Sequence, residues 1–88
     1  MGIIVKHHIA TKIEKKHGVK VSEVLEVFEG KIYTKKVGKG RYCIIGRTLA
    51  GRFLTIFVDK KGNMIEVVTA RDATDSEKRL YRIKVESK

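Results

Sequence analysis

Proline and tryptophan are absent from this sequence, cysteine occurs once, and only 10 acidic residues face 20 lysines and arginines. The lone thiol, Cys43, excludes an intramolecular disulfide and any zinc or iron–sulfur site built from several cysteines, and fits a reducing cytoplasm. Apolar runs are as short as Ile3-Ile4-Val5, whereas a bilayer-spanning helix needs about 20 such residues. The N-terminus lacks the extended apolar stretch of a secretion signal. Lys6 stands where a myristoylation pattern after Gly2 wants Ser or Thr. No membrane attachment is expected. With 88 residues there is room for one domain, and a hydrophobic fraction of 42% is too high for a wholly disordered chain. The net charge of +10 exceeds the magnitude of about 2–8 that suffices for solubility of a small domain. The surplus points to a polyanionic partner, with phosphate contacts the natural use.

Along the chain, Ile9, Ile13 and His17 recur every four residues ahead of Gly18, which predicts a helix over about 7–17. Ser22 is the expected N-cap of a second helix, whose apolar stripe is Val21, Val24, Leu25 and Phe28 and which ends at Gly30. Strands are expected over about 31–37, 41–47, 52–59 and 64–71, joined by short Gly-containing turns as an antiparallel meander. Ile3 to Val5 is a candidate for a short additional strand. In the third strand of the meander Leu54, Ile56 and Val58 share one face, with Phe53, Thr55 and Phe57 on the other. Both faces are therefore expected to be at least partly covered, with the helices packed on one of them. Thr74 and Glu77 form a capping-box pattern, which predicts a final helix from Asp75 to about Ile83. The expected class is α+β: N-terminal helices on an antiparallel sheet of about four strands, then a C-terminal helix.

The chemistry-bearing residues are chiefly basic. Lys31, Lys35, Lys36, Lys39 and Arg41 crowd the first hairpin, while Arg47, Arg52 and Arg71 fall at strand ends, where side chains can converge. Arginine grips a phosphate through two parallel hydrogen bonds and lysine acts as a point charge, so the arginines are the better candidates for a specific site. His17 can exchange a proton near neutral pH, or simply pack at its helix end. His7, His8 and His17 lack the i, i+4 spacing of a helical metal site, so no metal is expected. Gly38-Lys39-Gly40 is followed by neither a Gly-Lys-Ser/Thr string nor a third fingerprint glycine, and no nucleotide cofactor is expected. Cys43, between Tyr42 and Ile44, reads as a buried inert thiol.

Particular strings then matter. Lys16-His17-Gly18-Val19, Ile45-Gly46-Arg47-Thr48, Gly51-Arg52-Phe53-Leu54 and Thr69-Ala70-Arg71-Asp72-Ala73-Thr74, followed by Glu77 and Tyr81, resemble the BrnT-like toxins in order and spacing over about residues 15–83. The start departs from that family, with Ile3-Ile4-Val5-Lys6 where many relatives have a strand rich in Phe, Trp and Asp. The resemblance implies a fold similar to the RelE and ParE toxins and a metal-independent ribonuclease that arrests translation, acting on RNA free or on the ribosome. It also implies a ribbon-helix-helix antitoxin as partner, with operator DNA bound only through the complex. Carried onto this chain, Arg47 and Arg71 would hold the scissile phosphate, His17 would serve as acid/base group and Tyr81 would assist it. Glu77 would brace the last helix and Arg52 would contact RNA; outside the matched positions, Lys16, Arg41 and Arg79 are expected RNA contacts by their charge alone. Direct cooperation of His17 with Arg71 requires hydrogen-bond reach or one bridging water. The rival reading is a non-catalytic module of the same fold that binds nucleic acid or only its antitoxin.

Overall fold

The structure, a computed structural model, describes residues 2–87. Helix α1 spans His7–His17 and buries Ile9 and Ile13, one turn apart. Gly18 ends it in the left-handed region at φ 63°, where a side chain would be strained, and its amide donates to the Glu14 carbonyl at 3.0 Å. Lys15, Lys16 and His17 occupy the last turn, at the negative end of the helix dipole. Helix α2 spans Val21–Glu29 and buries Val24 and Val27. Its N-cap is Lys20 and not Ser22: the Glu23 carboxylate accepts from the Lys20 amide at 3.0 Å, so the helix starts earlier and Ser22 sits exposed in its first turn. The acid at the third helical position thus satisfies the free amide of the cap residue itself, which fixes the start of the helix without a serine cap.

Five strands follow the order β1-β5-β4-β3-β2, with β1 Gly2–Ile4, β2 Ile32–Gly38, β3 Arg41–Arg47, β4 Phe53–Lys61 and β5 Met64–Asp72. β2 to β5 are the expected antiparallel meander. β1 joins as a fifth strand and runs parallel to β5, pairing Gly2 with Met64 and Ile4 with Glu66, so the sheet is mixed. A parallel neighbour requires a long crossover, here all the chain between β1 and β5. Helix α3, Asp75–Tyr81, continues into a π-helical turn over Arg82–Glu86.

Both faces of the sheet are covered, as the sequence led us to expect, but by helices on each and not on one alone. On the first face α1 and α2 bury Ile44, Leu54, Ile56, Val58, Val67 and Ala70. On the second, α3 lays Tyr81 against Cys43, Ile45, Phe53 and Ala73. The cause lies in β4, which is apolar at both its odd and its even positions and so demands cover on both sides. A register shift opposite Phe57 and Val58 leaves Val68 of β5 unpaired, a bulge that keeps Val67 and Thr69 each on its proper face. At Gly46 a Cβ would come within 2.7 Å of Val27 Cγ1, so α2 seats on β3 only because this strand position is glycine.

Candidate nucleic-acid interface

Arg47 ends β3 and pairs in register with Phe53 at the start of β4. The turn after β5 then lays α3 over this end of the second face, with Lys78 and Arg82 one helical turn apart. The result is a ring of cations around one aromatic side chain. The Arg47 guanidinium lies 4.3 Å from the Phe53 centroid, that of Arg82 5.1 Å and the Lys78 ammonium 6.0 Å. Each is drawn to the negative face of the ring, which offsets part of their mutual repulsion. Tyr81 closes the fourth side edge-on, its ring centroid 5.7 Å from that of Phe53. The Tyr81 hydroxyl donates to the Lys31 carbonyl at 2.9 Å and ties α3 to the start of β2. Burial pushes its pKa up, so it stays protonated at neutral pH.

The ring is not electrostatically closed. Among the described residues Lys78 and Arg82 form no ion pair, and Arg47 bonds only through Nη2, to Glu86 Oε1 at 2.8 Å. Arg47 Nε is buried without a partner. An exposed monodentate pair of this kind contributes little and is readily exchanged for another anion. Phe53 itself is only 9% exposed, so it gathers the cations and offers no open face for a base to stack on.

Arg71 lies on the same face but is committed elsewhere. Its Nη1 and Nη2 donate to the two Glu77 carboxylate oxygens at 2.8 and 2.9 Å, and its Nη1 also reaches the Asp72 carbonyl at 3.1 Å. Glu77 in turn accepts from the Thr74 amide at 2.8 Å and the Thr55 hydroxyl at 2.9 Å. The Arg71 fork, helped by those two donors, holds the carboxyl at about 2. To grip a phosphate, Arg71 would have to give up this two-point bond.

Arg52 is spent as a clip between elements. Its Nε and Nη2 hold Asp72 at 2.7 and 3.1 Å, Nη1 reaches Glu23 at 3.1 Å and the Gly18 carbonyl at 2.9 Å, and Nη2 also reaches the His17 carbonyl at 3.2 Å. One guanidinium thus joins the end of α1, the first turn of α2 and the end of β5. His17 belongs to α1, on the face opposite α3. Its carbonyl, and among the described residues not its imidazole, is hydrogen-bonded. Arg41 makes a two-point pair with Asp59 at 2.7 and 2.9 Å, at the hairpin end of the sheet away from Arg47. Lys16 and Arg79 are exposed on α1 and α3 respectively.

Of the residues singled out from the sequence, the fold therefore gathers Arg47 and Tyr81 at one place, sets Arg71 nearby in a closed ion pair, and distributes Lys16, His17, Arg41 and Arg52 elsewhere. Sequence reasoning passed over Lys78 and Arg82. Their i, i+4 spacing after a capping box was a visible signal, but that it meets Phe53 is a tertiary fact. Among the described residues no group of three or more His, Cys, Asp or Glu could hold a metal ion, and no helix is long and apolar enough to cross a membrane.

Fold and site together define a class: a small α+β domain with two N-terminal helices on one face of a mixed five-stranded sheet and a cationic C-terminal helix on the other. The crystal structure of the ribonuclease toxin BrnT from Brucella abortus has this fold. It superposes with a TM-score of 0.71 over 85% of this chain and 99% of that one, at 17% sequence identity. The BrnT-like architecture implied by the sequence strings is thus present in three dimensions. No family model and no curated protein sequence matches the chain.

Proposed function

We propose that this chain is an RNA-cleaving toxin restrained by a partner protein. The observation that carries the reading is the convergence of Arg47, Lys78 and Arg82 on Phe53, in a fold shared with a ribonuclease toxin. A single-stranded RNA crossing this ring meets three positive charges within 6.0 Å of one point. Cleavage proceeds by attack of a ribose 2′-hydroxyl on the adjacent phosphorus. The 2′-hydroxyl gives up its proton to water as the bond to phosphorus forms, and the bond to the 5′-oxygen breaks as that oxygen takes a proton from water, giving a 2′,3′-cyclic phosphate and a 5′-hydroxyl end. The phosphorane carries more negative charge than the ground state, so fixed guanidinium groups lower the barrier. Displacement of Glu86 by the phosphate frees Arg47 for a two-point grip. The partner is an antitoxin of the ribbon-helix-helix type, through which alone the complex meets operator DNA.

Purified protein incubated with a messenger RNA in excess EDTA should yield fragments ending in 2′,3′-cyclic phosphate. Arg47→Ala and Arg82→Ala should each slow this about 100-fold, the usual effect of deleting one transition-state donor. Intact RNA after incubation with the wild-type protein would refute the enzymatic reading. One observation favours a second reading, a non-catalytic nucleic-acid-binding module: Tyr81, which packs edge-on beside the ring, is buried and its hydroxyl donates to a main-chain carbonyl at 2.9 Å, so it is not free to exchange a proton with a substrate. RNA bound tightly but never cut would establish that alternative.

A further inference from the structure

On the first face, α1 and α2 leave one end of the sheet uncovered. An open groove of about 490 Å³ lies there, walled by Phe28 of α2 and lined by residues of all five strands, from Ile3 of β1 through Ile65, Val58 and Tyr42 to Ile32 of β2. Five strands at about 4.8 Å spacing make it roughly 19 Å wide, the length of a helix of about 13 residues at 1.5 Å rise. The lining is apolar apart from Thr34 and Lys60, and no carboxylate contributes to it. Lys36, opposite Tyr42 in the ladder, adds a second exposed cation on the same side.

We infer that this groove is the docking site for an amphipathic helix of another protein, with an apolar stripe and acidic flanks. Charge selects the occupant. A second copy of this chain would bring the same lysines and a further net +10 to the contact. The chain's own C-terminal turn, Arg82–Glu86, continues from α3 on the opposite face. An acidic flank pairs with Lys36 and Lys60, while the stripe buries against Tyr42, Val58 and Ile65. The inference rests on the toxin reading in one respect only: under it, the docked helix belongs to the restraining partner.

The test uses two hydrocarbon-stapled peptides of about 14 residues. They share one leucine stripe and carry Glu on the flanks of one and Lys on the flanks of the other. Each is titrated into the full ¹⁵N-labelled chain. The acidic peptide should shift the amides of Phe28, Tyr42 and Ile65, and the basic peptide should not. Thr34→Trp fills the groove from an exposed position on the edge strand and should weaken the acidic peptide at least about tenfold, and Lys60→Glu by about tenfold. Both variants should keep the dispersed spectrum of a folded chain and cleave RNA as the wild type does, because Arg47 lies across the sheet. Equal binding of both peptides, shifts centred on Phe53, indifference to Thr34→Trp, or no groove shifts at millimolar peptide would each overturn the inference. So would self-association in sedimentation that Thr34→Trp abolishes. Because binding is read without RNA, a failure here is separable from a failure of the ribonuclease reading.

Discussion

Replacing Glu77 by Gln keeps the size and the hydrogen-bonding ability of the side chain and removes its charge. Glu77 sits at the junction of β4, β5 and α3, where it takes both prongs of Arg71, the Thr55 hydroxyl and the Thr74 amide. Its carboxyl is held at about 2 against an ordinary 4.5, which sets a ceiling of about 3 kcal/mol on what ionisation contributes to folding. The side chains of Arg71 and Glu77 remain 32% and 21% exposed, and solvent screening brings the expected value to about 2 kcal/mol. In a domain of this size that is a fall of roughly 8–16 °C in Tm. Because the folded pKa lies below the unfolded one, the contribution is complete above about pH 5 and is lost as pH falls from there toward 2. Urea unfolding followed by circular dichroism at pH 7, 5, 4 and 3 should show Glu77→Gln less stable than wild type at neutrality, with the two curves converging in acid. Equal stability at pH 7, or a gap that does not narrow on acidification, would refute the assignment.

Two further outcomes follow from the packing. Arg52→Ala should cost about 2 kcal/mol in urea unfolding, because four acceptor groups on three elements lose their donor, and Arg52→Lys should recover less than half, since an ammonium cannot reproduce the fork; a silent Arg52→Ala would remove the clip. Gly46→Ala should cost about 1–3 kcal/mol through its collision with Val27, read as a lower Tm, and a neutral result would mean that α2 shifts freely on β3.

Those elements whose signals are local were legible in the sequence. Gly18 and the Ile9–Ile13 repeat delimit α1, the Thr74–Glu77 box starts α3, and the glycine turns separate the strands of the meander. What escaped depends on distant partners. The short strand at Ile3 was a candidate from the sequence, but its parallel pairing to β5 reaches across some sixty positions and left no local signal. Lys20 caps α2 only because Glu23 turns back to it. The same holds at the interface. The arginines were evident as a set, but which of them carry free charge was decided by acids far along the chain: Asp72 and Glu23 occupy Arg52, Asp59 occupies Arg41, and Glu77 occupies Arg71. Lys78 and Arg82 gain their significance from Phe53, whose sequence context offers a core aromatic or a base-stacking one but not a gathering point for cations.

The central claim is that Arg47, Lys78 and Arg82 together grip an RNA backbone. Affinity for a non-cleavable 2′-O-methyl RNA, measured by fluorescence anisotropy between about 50 and 200 mM salt, tests it most directly, since the slope of log affinity against log salt counts the phosphates neutralised. Each single alanine substitution at these three positions should reduce the slope by about 0.7, and the triple substitution by about 2, while Arg41→Ala leaves it unchanged. A triple variant that binds with the wild-type slope would contradict the account.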